Sequence, residues 1–405
     1  MTNIDARIAI LVQNLPVPFD RRVWQEARTL AAAGADVTVI CPGDERHPAG
    51  TFEIEGVRVL RYEPPTEAKG LAGYANEYGF SLRRMSKLFE AERKRAPFDI
   101  VHFCNPPDLL YRVALPAKRK DGSILVFDQH DVGPELVEAK HMPLGKLLVA
   151  VARFFEARTY THADHVISTN ESYRRIAIER GRFAPEDVTV VRSGPYRDWV
   201  EAQAPNDAWR RGRKYFIGYL GVMGRQEGIE YLLEAVDLLA AKGLDVQLGL
   251  VGSGPDRDRL EGIAAERGIS DRVEFHGRVD DRTMQSILAA ADVCVNPDEV
   301  NPMNDLSTMN KIIEYMALGK PIVQFDLKEG RFSAQDASVY ADRPNDAESF
   351  ARAIESVLTD PDAAAAMGAR GRRRFEEELS WDSQGSKLVD AFAALAAGRR
   401  STVSV

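Results

Sequence analysis

The stretch IAILVQNLPVPFDRRVWQEARTLAAAGADVTVIC, Ile8 to Cys41, carries the reading on which the fold depends. Ile8 to Val12 is an unbroken apolar run, the pattern of a strand buried on both faces. A proline-bearing loop follows, then a helical segment from about Arg22 to Ala33 that Gly34 closes. Val37 to Ile40 is apolar again and ends at Cys41. A strand, a helix and a second continuous apolar strand at this spacing make a βαβ unit, the element of a parallel sheet.

Outward from there the pattern recurs. Val57 to Leu60 reads as a strand, Tyr74 to Lys94 as a long helix, and Asp99 to Phe103 as a strand. Ile124 to Phe127 and Val166 to Ser168 are further strands, with a helix from about Leu144 to His162 between them. Val188 to Val191 closes this half. Residues 194–213 turn polar and turn-rich and read as a linker. A second run of βα units follows, with strands at Phe216 to Leu220, Asp245 to Val251, Val273 to Phe275, Asp292 to Asn296 and Ile322 to Phe325. The expected architecture is two doubly wound α/β domains, 1–193 and 214–380, with a cleft between them; the last helix, 381–405, is expected to return to the first.

The chain has 405 residues, enough for two ordinary domains, and its 44% hydrophobic and 28% charged content is that of a soluble globular protein. A formal net charge of −8 argues against a nucleic-acid binder. The 3 cysteines, Cys41, Cys104 and Cys294, lie far apart at the ends of apolar runs and read as buried free thiols in a reducing compartment. No metal-binding cluster stands out. The start of the chain lacks a signal-peptide layout and no apolar run approaches a membrane span, so a cytoplasmic protein is expected.

In open parallel sheets ligands bind beyond the carboxyl ends of the strands. The first such loop holds Asp20, Arg21 and Arg22, and the loop after Phe127 holds His130 and Asp131. GVMGRQEG follows Leu220, with Gly221, Gly224 and Arg225; Gly252 opens the loop after Val251; Arg278 and Val279 follow Phe275. None matches a dinucleotide fingerprint or a Walker motif, but glycines let backbone approach a phosphate and an arginine neutralises it. Plain βα turns fit each loop as well. A histidine at a strand end can donate to a sugar hydroxyl or move a proton. His102 also ends a strand, in apolar surroundings that suit a structural role. The segment NPMNDLSTMNKIIEYMALGKPIV, Asn301 to Val323, reads as a helix from about Ser307, capped by Asp305 or Ser307 and ended by Gly319 and Pro321. Met309, Ile312, Ile313 and Met316 form its buried stripe; Ser307, Asn310, Lys311 and Glu314 form its polar side. Its amino end, with Thr308, suits a phosphate. A solvated amphipathic helix is the plainer account.

With these residues in hand, the chain resembles retaining glycosyltransferase family 4, of GT-B fold, nearly end to end. The resemblance is carried by DRRVWQEARTLAAAGADVTVICP, DIVHFCNPPDLL, FDQHD, ADHVISTNES, YLGVMGRQEGIEYLLEA, LVGSGPDRDRL, VEFHGRV and STMNKIIEYMALGKPIV, the last being the most specific. It implies two Rossmann-like domains facing a central cleft and transfer from a nucleoside-diphosphate sugar, UDP favoured, without a metal or other cofactor. It matches Glu314 to the acid that holds the donor ribose, His130 to the histidine near the donor sugar, and Gly277, Arg278 and Val279 to the segment meeting the base. The chain departs in three places. Leu306 stands where the usual first glutamate is, Val222 and Glu227 where the diphosphate-clamping Arg and Lys are, and PVPFDRR replaces the first loop's glycine pair. Arg225, Lys311 and the helix amino end are the candidates to take over the charge, and Asp305 or Asn304 the contact to the donor sugar.

These residues imply sugar transfer with retention to an acceptor hydroxyl on a carbohydrate, lipid-linked or small-molecule acceptor, as in bacterial polysaccharide, glycolipid or secondary-metabolite synthesis. The acceptor is expected on the first domain, by Asp20 to Arg22 and Asp131. SLRRMSKLFEAERKR, 81–95, with Lys140, Lys146 and Arg153, suits peripheral contact with an anionic membrane, although an ordinary solvated helix accounts for it too. The alternatives are a GT-B sugar-nucleotide epimerase and a non-catalytic sugar-nucleotide-binding partner subunit.

Overall fold

A computed structural model describes residues 3–64, 70–139, 145–200 and 206–403. The chain divides into two compact units, Met1–Arg192 with Gln384–Val405, and Ser193–Ser383.

Unit 1 is built on β1 (Arg7–Leu11), β2 (Asp36–Pro42), β3 (Gly50–Ile54), β4 (Val57–Tyr62), β5 (Ile100–Cys104), β6 (Ile124–Gln129), β7 (His165–Ser168) and β8 (Val188–Val190). Their order is β3-β4-β2-β1-β5-β6-β7-β8, parallel throughout except for β3 against β4. The helices are α1 (Arg21–Ala32), α2 (Gly70–Arg95), α3 (Tyr111–Asp121), α4 (Gly133–Ala139), α5 (Gly145–His162) and α6 (Glu171–Glu179). The strands are continuous apolar runs because helices cover the sheet, and Leu11, Phe103, Phe127 and Val166 meet in one core. The three cysteines of the chain are free and buried.

Unit 2 carries β9 (Tyr215–Leu220), β10 (Val246–Val251), β11 (Val273–Gly277), β12 (Val293–Asn296), β13 (Ile322–Gln324) and β14 (Ser338–Tyr340), ordered β11-β10-β9-β12-β13-β14 and all parallel. Its helices are α7 (Ile229–Ala241), α8 (Arg257–Glu266), α9 (Asp281–Ala290), α10 (Pro302–Leu306), α11 (Asn310–Ala317), α12 (Lys328–Ala334), α13 (Ala347–Leu358) and α14 (Pro361–Arg374); α15 (Trp381–Val403) is the last helix of the described residues, and from Gln384 on it belongs to unit 1.

Several expectations change. The edge strand β3 and the short β14 were not among the expected strands. The stretch expected as a linker belongs to unit 2, and its described part is anchored there: Trp199 and Trp209 pack on the unit 2 core, and Trp209 Nε1 donates to Ser286 Oγ at 3.1 Å. Residues 201–205 of it, and Lys140 and Leu144 of other expected elements, lie outside the described residues. The helix expected from about Ser307 starts at Asn310, as α11, without a side-chain cap, and a separate short helix, α10, precedes it, capped by Asn301, which accepts from the Met303 and Asn304 amides. Neither Asp305 nor Ser307 caps α11.

In both sheets the strand order reverses direction at one point, between β1 and β5 in unit 1 and between β9 and β12 in unit 2. Connections leave such a point to opposite faces, so a crevice opens at the carboxyl ends there.

Candidate functional site

At the unit 1 reversal the loop after β1 leads into α1, whose first turn turns Arg22 inward. Its guanidinium donates to both oxygens of Asp128 on β6, at 2.8 and 3.2 Å, and to the Val191 carbonyl at 2.9 Å. It also lies 3.1 Å from Glu26 Oε1. His102 Nε2, on β5, sits 3.2 Å from Glu26 Oε2 and 3.4 Å from Asp128 Oδ2. His130 Nε2 is 2.5 Å from the same Asp128 oxygen. Glu26, His102 and Asp128 are fully buried. Two carboxylates are therefore shared among one guanidinium and two imidazoles.

The electrostatics follow from that sharing. Burial opposes charge on His102, but hydrogen bonds and charges of Asp128 and Glu26 outweigh it and hold its pKa at about 9. The same balance, burial against the Asp128 charge, raises His130 above its ordinary value. Burial alone would raise Asp128, yet Arg22 and His130 hold it well below the usual carboxylate range. His102, expected in apolar surroundings, is thus part of an ion network. With Nε2–H engaged by Asp128, Nδ1 is the second ring nitrogen of His130: it donates in the imidazolium form that Asp128 favours and accepts in the neutral ring. Asn105 fixes the loop: its Oδ1 accepts from the His130 and Asp131 amides at 2.8 and 3.2 Å. Among the described residues, His102, Cys104 and Asp128, and Glu26, Asp128 and His130, are close enough for a shared metal ion. Arg22 already supplies to Asp128, which both sets share, the positive charge that a metal ion would bring.

Of the residues expected on the acceptor side, Arg22 is buried in this network and Arg21 is exposed. Asp20 spends a carboxylate oxygen capping α1 through the Val23 amide, and Asp131 is half-buried.

At the unit 2 reversal, Lys311 is the centre. It was expected on an open polar face; instead α11 turns it inward, and it is 8% exposed. Its Nζ donates to Glu227 in the loop after β9 and to Asp298 in the loop after β12, each at 2.8 Å. Nζ also lies 4.9 Å from the centre of the Tyr219 ring. Burial disfavours the ammonium, but Asp298, Tyr219 and Glu227 hold it charged. Asp298 responds the other way: burial, with Glu227 adding to it against Lys311, pushes its carboxyl up to about 7. Excess negative charge is relieved by a proton.

Backbone closes around this cluster. Gly252 has φ +129, and a Cβ there would overlap the Gly221 carbonyl, so the loops after β9 and β10 meet backbone to backbone. A Cβ on Gly221 would lie 3.2 Å from Lys311 Cε. The Gly252 amide donates to the Gly277 carbonyl at 2.9 Å, linking the loop after β11. Gly221, Gly252, Gly277 and Lys311 are thereby brought together. Gly224 is buried with an ordinary backbone, Arg225 is exposed and 3.9 Å from Asp256, Arg278 is exposed, and Val279 packs on the core. Asn304 donates to the Gln226 and Glu299 carbonyls at 3.1 and 2.9 Å, stitching the loops after β9 and β12; both its N–H donors are taken. Asp305 Oδ1 accepts from the Lys328 amide and Ser307 Oγ donates to the Met303 carbonyl. Thr308 and Glu314 are half-buried and Asn310 is exposed at the start of α11. Glu26, Asn105 and Tyr219 stand inside segments quoted above without having been singled out, Asp128 stands in the strand-end loop just before His130, and Asp298 lies outside all of those segments.

Residues 20–194 match the family described as "Glycosyl transferase 4-like domain", and residues 214–360 match "Glycosyl transferases group 1". Over 182 residues the chain is 32% identical to the lipopolysaccharide core biosynthesis glycosyltransferase LpsE of Rhizobium meliloti, an alignment covering 44% of this chain and about half, 49%, of that protein. It is 25% identical to the glycogen synthase of Mycobacterium tuberculosis over 94% of this chain and 92% of that one. A solved sucrose-phosphate synthase from Thermosynechococcus elongatus superposes with a TM-score of 0.80 at 21% identity, over 97% of this chain and all of that one.

Proposed function

The chain belongs to the GT-B glycosyltransferases, and from that premise we propose that it moves a sugar from a nucleoside diphosphate to an acceptor hydroxyl, with retention at the anomeric carbon and without a divalent cation. One observation supports the reading most: each sheet carries, at its reversal point, a buried ion cluster beneath glycine-rich or asparagine-clamped loops, where packing alone calls for none.

In unit 2 the Gly221 and Gly252 loops, the Lys311 ammonium and the amino end of α11 with Ser307, Thr308 and Asn310 take the diphosphate. Arg225 adds its charge from solvent. Arg278 and Val279 meet the base, and Glu314 holds the ribose; UDP is favoured on the family resemblance alone. In unit 1, Nδ1 of His130 donates to the reacting sugar, with Asp128 keeping the ring oriented. Asp305 reaches that sugar through its second carboxylate oxygen. The bond between the anomeric carbon and the diphosphate oxygen breaks, the acceptor oxygen bonds to that carbon on the same face, and the acceptor proton passes to the departing phosphate. The protein contributes position and electrostatic stabilisation. Acceptors in polysaccharide, glycolipid or secondary-metabolite synthesis fit this reading.

The test combines thermal shift with UDP-, GDP- and dTDP-sugars and turnover of any sugar that binds, in the presence of EDTA. One donor should raise the melting temperature and be hydrolysed slowly, and Glu314→Ala should weaken its binding by about tenfold or more. A second reading, the non-catalytic binding subunit, is favoured by Val222 and Glu227 standing where the resemblance expects Arg and Lys. Tight nucleotide binding with no turnover of any donor would select it.

A further inference from the structure

We infer that the outer face of α5 in unit 1 docks on an anionic lipid bilayer. Among the described residues seven large hydrophobic side chains are exposed, and three of them, Leu147 at 60%, Val151 at 43% and Phe154 at 59%, belong to this one helix. At the helical period the three fall within an arc of about 60°. Packing does not explain them, since α5 buries its other side through Glu156, Thr159 and Tyr160. A soluble surface tolerates scattered apolar residues, but a stripe at i, i+4 and i+7 marks a contact surface.

The charge around the stripe selects the partner. Lys146, Arg153 and Arg158 are the charged residues on the exposed face, and none makes an ion pair with a described residue. The acid of the helix, Glu156, is buried and lies 3.4 Å from Arg180. Large apolar side chains with basic residues beside them and no exposed acid are the composition of a helix lying in a lipid interface. Unit 1 as a whole holds 30 Lys and Arg against 27 Asp and Glu, while unit 2 holds 23 against 34, so an anionic surface attracts the first and repels the second. The basic stretch 81–95 fits less well, because Arg93 pairs with Glu90 and Asp121, and Arg95 with Glu92.

Topology places this face usefully. Helix α5 leads into β7, which is parallel to β6, so its amino end with Leu147 lies at the edge of the sheet where His130 follows β6. A bilayer under α5 would present a lipid-linked acceptor to that edge, a consequence that rests on the transferase reading. The docking itself does not.

The experiment is co-sedimentation of the whole chain with vesicles of phosphatidylcholine alone and of phosphatidylcholine mixed with phosphatidylglycerol. The wild-type chain should partition to the mixed vesicles and release with salt. Leu147→Ser with Phe154→Ser should weaken partitioning more than about tenfold. Lys146→Ser, Arg153→Ser and Arg158→Ser together should weaken it roughly a hundredfold. All five positions are exposed, so unchanged melting temperatures should accompany both losses. Wild-type protein that ignores the mixed vesicles, or variants that bind them as before, would overturn the inference. So would a dimer in analytical ultracentrifugation that the apolar variant dissociates, which would give the face to a second copy. Donor turnover without vesicles is measured alongside: turnover without partitioning removes the docking and leaves the transferase, and partitioning without turnover does the reverse.

Discussion

The two units bury an ion cluster at the same topological place and with opposite polarity. In unit 1 an anion is central: Asp128 is shared by Arg22, His102 and His130, with Glu26 as the second carboxylate. In unit 2 a cation is central, and Lys311 stands between Glu227 and Asp298. The first has cations to spare, the second an acid to spare. A diphosphate approaching Lys311 therefore meets a neutralised ammonium, not a free one. On the transferase reading proposed above, its charge is met mainly by the backbone of α11 and by Arg225, and the approach is easier when Asp298 holds its proton. The comparison separates two jobs that a single lysine in a clamp would combine, holding loops together and binding phosphate.

Removing the centre of either cluster should show the largest effects. Lys311→Met leaves two buried carboxylates facing each other and should cost about 3–5 kcal/mol of unit 2 stability. Calorimetry would show one transition falling while the other stays. Adding Glu227→Gln and Asp298→Asn should restore most of that stability. If donor affinity returns with it, Lys311 only positions the loops; if affinity stays lost, its ammonium also touches the phosphate.

Asp128→Asn is the counterpart in unit 1. It removes the charge shared by three cations while keeping the shape, and should cost on the order of 3 kcal/mol. The informative readout is His130. Without the carboxylate, burial and Arg22 disfavour the imidazolium and the Glu26 charge is left to favour it, so the His130 pKa should fall, visible by NMR and as a shift of the pH profile of transfer. A melting temperature that drops with His130 titrating unchanged would break the assignment of Asp128 as its positioning residue.

Much of the fold was legible because parallel strands are continuous apolar runs. The runs at Ile8, Val37, Ile124 and Phe216 announce both sheets. The strands missed, β3 and β14, are an exposed edge and a three-residue segment, neither with such a run. The site was legible only where one segment suffices. His130 and the glycines of GVMGRQEG are visible locally, but Arg22 meets Asp128 across 106 residues and Lys311 meets Glu227 across 84. Those meetings are set by strand order at the reversal points, which periodicity does not contain. Lys311 looked solvated because it shares a helical face with Asn310 and Glu314, while its partners come from loops after two other strands. Glu26 has no local signal of its own, since its partner His102 meets it only in the folded sheet.

The clusters should also answer to pH in different windows. His102 binds its proton more tightly folded than unfolded, so its contribution is complete below pH 6.5 and is lost as pH rises through about 9. The loss in unit 1 should be about 3 kcal/mol, and His102→Gln should flatten it. Asp298 also has a raised value, so its contribution is complete below its ordinary 3.8 and lost as pH rises through about 7, in unit 2. Two transitions moving together across both windows would mean that the clusters are not independent.

The smallest effect tests the division of labour most directly. Arg225 is exposed, 81% by its side chain, and its nearest acid, Asp256, is 3.9 Å away and already paired with Arg259. Removing it should leave the melting temperature within a fraction of a degree, because an exposed, loosely paired arginine contributes little to folding. If it supplies charge to the diphosphate, Arg225→Ala should weaken donor binding by about tenfold, and the loss should shrink as salt is raised, since an exposed cation acts through screened solvent. Lys311 lies in a buried pair, and its share should hold nearly constant over the same salt range. Salt titration of both variants by calorimetry thus separates a solvent-side cation from a buried one. Equal salt dependence in the two would merge the roles that the opposed polarity of the clusters keeps apart.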